Sequence, residues 1–202
     1  MMRAAIFLDR DGVLNPTVFN PATGRMESPL TARDFHLCEG VIPALHHLQE
    51  AGYPLILVSN QPNYALGKCS YDTHRVIRHQ LEMQLEAAGI RFTRSCYCLH
   101  HPKGITPGYS GPCECRKPSP WFLLQARDDL ALNLRDSWMI GDQPTDTECG
   151  RAAGVRTIRV FSGELRVGSG LGPTVDTVDP CADYFALNLT EAVGIIFGSQ
   201  SH

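Results

Sequence analysis

The sequence predicts an α/β protein built on a doubly wound, mainly parallel β-sheet. Short hydrophobic runs recur along the chain and are apolar at both alternating positions, as in strands that helices cover on both faces. Segments with a hydrophobic spacing near 3.6 residues separate these runs, and such alternation favours right-handed crossovers. The chain has 202 residues, of which 43% are hydrophobic. We therefore expect residues 1–202 to form a single domain around one core.

The predicted elements follow one another in chain order. Strands are predicted at residues 4–8, 55–58, 137–140 and 155–160, with a weaker candidate at 95–98. Helices are predicted between them, near residues 41–48, 72–88, 119–132 and 145–153. Residues 184–197 predict a further short strand and helix. Residues 162–180 are rich in Gly, Ser, Thr and Val, and this composition predicts a surface loop.

Charge and hydropathy argue against two classes of partner. The formal net charge is −3, from 18 Lys and Arg against 21 Asp and Glu, so no basic surface for a nucleic-acid backbone is evident. No hydrophobic run approaches the roughly 18 residues of a membrane span, and the N-terminal run is too short for a signal peptide. We therefore expect a cytoplasmic monomer that binds neither nucleic acid nor membranes.

Two acidic residues follow the first predicted strand. Asp9 and Asp11 are two positions apart, so in an extended chain their carboxylates point the same way and repel each other. Mg²⁺, which prefers oxygen ligands, would relieve that repulsion. A carboxylate in such a site is also able to act as a nucleophile. The alternative is a solvated turn, in which Asp and Gly are common.

Polar groups also follow the second strand and precede the third helix, where ligands of such folds are expected. Ser59, Asn60 and Gln61 carry hydroxyl and amide groups that are able to donate to phosphate oxygens, although, taken alone, they are better explained by an ordinary turn before Pro62. Arg116 and Lys117 lie just before a helix. A lysine there would offset the charge of phosphoryl oxygens, whereas the alternative is a basic pair on the surface.

Two further acids follow the strand predicted at 137–140. Asp142 is placed to join Asp9 and Asp11 around one cation. Asp146 is placed either to do the same or to sit at the start of the next helix, where the helix dipole favours an acid.

Together these segments resemble the motifs of the haloacid dehalogenase superfamily of phosphohydrolases. Residues 9–13 (DRDGV) are similar to its first motif, D-x-D-x-[TV], and Ser59 is similar to the second-motif Ser or Thr. Lys117 resembles the third-motif lysine, and residues 141–146 resemble the fourth motif, G-D-x-x-x-D. The resemblance implies a Rossmann-like fold without a large cap domain. It also implies a phosphomonoesterase that works through an aspartyl-phosphate.

The resemblance is closer to one group, the D,D-heptose 1,7-bisphosphate and histidinol-phosphate phosphatases. Residues 7–15 (FLDRDGVLN), 59–61 (SNQ) and 115–118 (CRKP) carry it. It implies a small phosphorylated metabolite as substrate. We expect a heptose phosphate, either D-glycero-D-manno-heptose 1,7-bisphosphate or the 1-phosphate. Histidinol phosphate is the alternative within the same chemistry, and a non-catalytic binding module organised by zinc is the alternative outside it.

The resemblance implies that Asp9 is the nucleophile and that Asp11 is first the general acid and then the general base. We expect nearby acids to help Asp11 keep its proton. Asp9, the backbone carbonyl of Asp11 and Asp142 would hold the catalytic Mg²⁺.

The remaining motif residues would hold the substrate, again by resemblance. Ser59 and Lys117 would bind the transferring phosphoryl group. Asn60, Gln61 and Arg116 would contact the rest of the substrate.

Three features depart from the resembled group. Residues 16–37 are longer than in the heptose enzymes, contain a predicted turn at 20–24, and are expected to shape the substrate pocket as a specificity loop. Leu66 stands where those enzymes carry an arginine, and Gln143 stands where a lysine is familiar. The loss of two cations favours a sugar monophosphate over a bisphosphate.

Four of the eight cysteines crowd into residues 96–116, beside two histidines. In a reducing cytosol such crowding favours a metal over disulfides, and zinc takes four Cys and His ligands in a closed structural site. Spacing alone leaves Cys96 and His101 as possible members. The resembled group carries a C-x-H…C-x-C zinc loop, which selects Cys98, His100, Cys113 and Cys115. The other histidines, including His74 in a predicted helix, are expected on solvated faces.

Overall fold

The computed structural model describes residues 2–161 and 179–199. Its strands are β1 (Ile6–Leu8), β2 (Val18–Asn20), β3 (Arg25–Glu27), β4 (Leu55–Asn60), β5 (Arg94–Cys98), β6 (Trp138–Gly141), β7 (Arg156–Val160) and β8 (Tyr184–Ala186). Its α-helices are α1 (Val41–Glu50), α2 (Tyr71–Ala87), α3 (Trp121–Leu130), α4 (Pro144–Ala153) and α5 (Leu189–Gly198).

Six of the strands form one parallel sheet in the order β5-β4-β1-β6-β7-β8. The predicted fold class is therefore confirmed. The predicted strands are present, and β4 continues past its hydrophobic run. The polar residues Ser59 and Asn60 extend β4 because they remain paired with Tyr97 and Cys98 of β5.

Helices cover both faces of the sheet, which explains why the strands are apolar at both alternations. In β1, Ile6 and Leu8 pack into a core with α1, α2 and α5. Phe7, between them, packs into a second core with α3 and α4. Alternate residues of one strand thus enter different layers, as the 2-residue period of a strand requires.

The chain order makes the end of β1 the place where ligands are expected. After β1 the chain adds β4 and β5 on one side, and only later adds β6 and β7 on the other. The crevice at such a switch point lies outside the carboxyl ends of the strands. The residues after β1, β4 and β6 therefore meet at one edge.

The predicted specificity loop contains a small hairpin. β2 and β3 pair antiparallel, with Val18 opposite Glu27 and Asn20 opposite Arg25. The turn predicted at 20–24 is present, and Gly24 adopts a left-handed φ of 65° there. The hairpin lies at the same end of the sheet as the carboxyl end of β1, which directly precedes it in the chain.

Two other predictions have different outcomes. The expectation of a solvated His74 is wrong: it is buried on α2, where its ring meets that of Tyr97 at 5.4 Å. Burial, together with Arg10 and Arg78, lowers the pKa of His74 to about 4.

The predicted loop at 162–180 lies outside the described residues except at its last two positions. None of the described helices is long and apolar enough to cross a lipid bilayer.

Two helical glycines give a matched test of the packing of α4 on the sheet. A Cβ at Gly150 would lie 2.7 Å from Thr157 Cγ2 and 2.8 Å from Met139 Cβ, whereas a Cβ at Gly194 in α5 would meet no described atom within 4 Å. We expect Gly150→Ala to lower the free energy of unfolding by about 1–3 kcal/mol through overpacking. Gly194→Ala should raise it by about 0.4–1 kcal/mol. Denaturant unfolding measures both, and equal effects would contradict the close helix–sheet contact.

Candidate active site

Charged side chains are buried together at the carboxyl end of the sheet. Asp9 follows β1 directly and Asp142 follows β6 directly, and only 8% and 5% of their surfaces are exposed. Lys117, from the loop before α3, is 2% exposed. These groups border a cavity of about 540 Å³. Buried charges are costly unless they are paired, so this cluster indicates a functional site.

The ammonium of Lys117 lies at the centre of the cluster. Its Nζ is 3.0 Å from an Asp9 oxygen and 2.6 Å from an Asp146 oxygen, and it donates to the Val58 carbonyl at 2.7 Å. Burial alone would lower the pKa of Lys117, but the Asp146 and Asp9 carboxylates raise it above its ordinary value. The lysine is therefore held as a cation beside Asp9.

Asn60 fixes the backbone of Lys117. Its amide nitrogen donates to the Lys117 carbonyl at 3.1 Å, and its amide oxygen accepts from the Lys117 N–H at 3.1 Å. The sequence analysis assigned Asn60 to the substrate. The structure shows that Asn60, which also lines the cavity, positions the lysine as well.

Negative charge exceeds positive charge around Asp9. Burial, together with the Asp146, Asp142 and Asp11 carboxylates, raises the pKa of Asp9 to about 8, although Lys117 acts to lower it. Oxygens of Asp9, Asp142 and Asp146 all lie within 4.8 Å of one another. A divalent cation with oxygen ligands fits this set, since it would balance the charge and favour the ionised Asp9. Asp9 and Asp142 therefore lie close enough to share one cation, as the sequence analysis expected.

Asp146 fills both of the roles that the sequence analysis gave as alternatives, an acid of the site and an acid at the start of a helix. It forms the buried ion pair with Lys117, and it also accepts from the Gln143 backbone N–H at 2.9 Å at the start of α4. The helix-start acid and the site acid are therefore the same side chain. Gly141 permits this arrangement, because a Cβ there would collide with the Asp146 carboxylate.

Gly12 permits the second close approach. Its φ of 78° is in the left-handed region, and a Cβ at this position would overlap the Asp142 carboxylate. The glycine of the first motif therefore lets the loop after β1 approach the residue after β6.

Asp11 lies in a different environment from the one expected. Its carboxylate accepts from Arg10 at 2.9 Å, from Asn15 at 2.9 Å and from Gln61. Burial raises its pKa, but Arg10 and the hydrogen bonds from Asn15, Gln61 and Ser28 outweigh burial and lower it. The expectation that nearby acids would help Asp11 keep a proton is therefore wrong for this structure, because its partners are donors.

Gln61 and Ser59 belong to the same network. The Gln61 amide nitrogen donates to Asp11 and, at 3.0 Å, to Ser59 Oγ, and its oxygen accepts from Arg10 at 2.8 Å. Gln61 is 4% exposed, so the structure places it against Asp11, whereas Arg116 lines the cavity. The buried Arg10 was missed as a site residue, although its position between the two acids was the available signal.

The predicted zinc ligands converge at the end of β5. The Cys98 sulfur is 3.6 Å from that of Cys113 and 3.1 Å from that of Cys115, and the last two are 3.8 Å apart. His100 Nδ1 lies 3.9 Å from the Cys98 sulfur and 3.7 Å from the Cys115 sulfur. Sulfurs about 2.3 Å from a tetrahedral zinc are about 3.8 Å apart. Two of the three sulfur pairs are near that spacing, and the Cys98–Cys115 pair would have to open from 3.1 Å to hold the ion.

The two spare candidates lie elsewhere. Cys96 is buried in the hydrophobic core beside α3. The His101 ring nitrogen accepts from the Lys103 N–H at 3.1 Å. The set selected by the resemblance is thus the one whose ligand atoms come together, and Cys115 directly precedes Arg116 and Lys117.

The hairpin and a neighbouring loop form the rim of the cavity. Glu27 on β3 pairs with Lys68 through both oxygens, at 2.7 and 2.8 Å. Thr23 and Asn20 also donate to it, at 2.7 and 3.0 Å. Burial raises the pKa of Glu27, but these partners outweigh burial and lower it to about 2. No motif or spacing along the chain indicated this ion pair.

Comparisons with known proteins agree with this site. Residues 114–192 match a family model described as HAD-hydrolase-like. The chain is 37% identical over 157 residues to the D-glycero-beta-D-manno-heptose-1,7-bisphosphate 7-phosphatase of Vibrio cholerae, covering 78% of this chain and 80% of that protein. It is 35% identical over 153 residues to the protein of the same name from Yersinia pestis, covering 76% and 77%.

A solved structure shows the same fold. The D,D-heptose 1,7-bisphosphate phosphatase from B. bronchiseptica, complexed with magnesium and phosphate, superposes with a TM-score of 0.73 at 22% identity. The match covers 97% of this chain and 99% of that one. The chain therefore belongs to the HAD-like hydrolase family of phosphomonoesterases, in the branch of the heptose-bisphosphate phosphatases.

Proposed function

We propose that this enzyme hydrolyses the 7-phosphate ester of D-glycero-D-manno-heptose 1,7-bisphosphate through a phosphorylated Asp9. The observation that carries the proposal is the position of Asp9, buried at the cavity between the Lys117 ammonium and the Asp142 carboxylate. The names of the relatives support the bisphosphate over the 1-phosphate that Leu66 and Gln143 suggested.

In the first half-reaction, an Asp9 oxygen attacks phosphorus and the bond from phosphorus to the sugar oxygen breaks. Lys117, held by Asp146, binds the phosphoryl oxygens together with Ser59. Mg²⁺, for which Asp9, the Asp11 carbonyl and Asp142 would be the ligands, would neutralise developing charge and orient the phosphate.

Asp11 moves the proton in both half-reactions. It gives a proton to the departing sugar oxygen, and it takes one back from the water that attacks the phosphorylated Asp9. Its ion pair with Arg10 and its bond from Gln61 hold the ionised form in the free enzyme. That form suits the second half-reaction. For the first half-reaction, Asp11 has to take up a proton when the substrate binds, either from solvent or from the phosphate ester itself, and it passes this proton to the departing sugar oxygen.

We propose that residues 1–202 act as one catalytic domain, as a monomer in the cytoplasm, without nucleic-acid or membrane partners. A non-catalytic binding module is disfavoured, because it would not need a buried lysine between two carboxylates. Histidinol phosphate would be hydrolysed by the same chemistry. Comparing its rate of turnover with that of the heptose phosphates distinguishes the two candidate substrates.

The first test is a substitution of the nucleophile. We expect Asp9→Asn to lower kcat by at least about 1,000-fold, because the amide does not attack phosphorus. Asp128→Asn, at an exposed acid of α3, is the control and should retain the wild-type rate. Phosphate release with Mg²⁺ should be compared for heptose 1,7-bisphosphate, heptose 1-phosphate and histidinol phosphate. An unchanged rate in the Asp9 variant would refute the nucleophile, and equal feeble turnover of all three esters would refute the substrate.

The second test concerns the zinc site. We expect the wild-type chain to contain one zinc ion, measured by elemental analysis, and Cys113→Ser to lose it and to unfold at a lower temperature. Cys181→Ser, a half-buried cysteine outside the cluster, should keep both zinc and stability. Activity should fall with the zinc, because Cys115 directly precedes Arg116 and lies two positions before Lys117. Full zinc occupancy in the Cys113 variant would contradict the ligand set.

A further inference from the structure

We infer that Arg25 is a specificity-determining residue that binds a second anionic group of the substrate. It would thereby select a sugar bisphosphate over the corresponding monophosphate. This inference rests on the proposed function. It identifies the part of the pocket that binds the second phosphate, the one that is not hydrolysed.

The two faces of the hairpin differ in character. Asn20 lies opposite Arg25, and Val18 lies opposite Glu27, so these four residues share one face. Arg25 and Glu27, on this face, line the cavity, and Met26, on the other face, lines it as well. Phe19, which lies opposite Met26, leaves 60% of its surface exposed. All three residues of β3 therefore border the site, and Arg25 is the cationic one.

Four cationic side chains line the cavity, and two of them already have carboxylate partners. They are Arg25, Lys68, Arg116 and Lys117. Lys117 is paired with Asp9 and Asp146, and Lys68 is paired with Glu27.

The two arginines are the cations left for a ligand. Neither Arg25 nor Arg116 lies within ion-pair distance of a carboxylate in residues 2–161 and 179–199. Arg116 donates one nitrogen to the His100 carbonyl at 3.2 Å, which directs its guanidinium. Leu66 and Gln143 line the same cavity and bring no charge. A second phosphate would therefore meet Arg25 and Arg116, whose planar groups suit phosphate oxygens.

The rim is anchored on the side next to Arg25. Glu27, two positions along β3, receives Lys68 through both oxygens and is also bound by Thr23 and Asn20. Because Lys68 neutralises Glu27, the hairpin contributes the charge of Arg25 to the cavity without an opposing charge beside it.

The loop that carries Lys68 is held in turn by the zinc loop. The Ile105 N–H donates to the Ala65 carbonyl at 2.7 Å, and the Thr106 hydroxyl donates to the Tyr64 carbonyl at 2.8 Å. The zinc loop, the Lys68 loop and the hairpin thus form a continuous support for Arg25.

The experiment compares Arg25→Gln with Arg33→Gln, a matched exposed arginine of the same loop that does not line the cavity. The probes are heptose 1,7-bisphosphate and heptose 7-phosphate, which differ only in the second phosphate. We expect Arg25→Gln to raise KM for the bisphosphate about 10-fold or more, the effect of losing a charged hydrogen bond, with kcat nearly unchanged. Its kinetics on the 7-phosphate should match those of the wild type, and Arg25→Lys should restore part of the loss.

Each other outcome is decisive. An Arg25→Gln variant that loses the same factor on both probes, or that loses nothing on the bisphosphate, overturns the role of Arg25. So does a wild-type enzyme with equal kcat/KM on the two probes, although the proposed phosphatase then stands. A wild-type enzyme that hydrolyses neither probe overturns the proposed substrate together with this inference. The 7-phosphate rate and the thermal unfolding curve show that the variant is folded.

Discussion

The candidate site depends on one buried cation. Lys117 lies between Asp9 and Asp146, with the Val58 carbonyl as its third acceptor. Removing Lys117 would leave the buried Asp9 and Asp146 carboxylates without their cation, which costs several kcal/mol. The surrounding features serve this arrangement: Asn60 clamps the lysine backbone, and Gly141 makes room for Asp146. A site of this kind places positive charge beside Asp9, the proposed nucleophile, before any substrate arrives.

A second constraint is the excess of carboxylates around that lysine. Burial and three neighbouring acids raise the pKa of Asp9 to about 8, while donors lower the pKa of Asp11. The two acids of the first motif therefore differ in their surroundings, although they are separated by a single residue. Arg10, which lies between them, makes the difference, because its guanidinium pairs with Asp11 only. The remaining negative charge at Asp9 is the physical reason for a divalent cation at this edge.

The zinc cluster and the substrate rim form a structural unit beside the catalytic edge. The four ligand atoms come together at the end of β5, and the loop they close leads directly into Arg116 and Lys117. The same loop supports the segment that carries Lys68, which anchors the hairpin through Glu27. The proposed zinc site is thus coupled through backbone contacts to the residues that line the cavity.

The sequence by itself determined the parallel sheet, the acids after β1 and β6, and the cluster of Cys and His residues at 96–116, because hydrophobic period and short spacings are local properties of the chain. Spacing left open which four of those Cys and His side chains come together. Only the tertiary structure decided the partners of those residues: Lys117 with Asp146, Asp11 with Arg10 and Gln61, and Glu27 with Lys68. It also buried His74, which the helical pattern placed in solvent. Such pairings depend on which side chains the crossovers bring to one edge of the sheet, and residue spacing along the chain does not encode that directly.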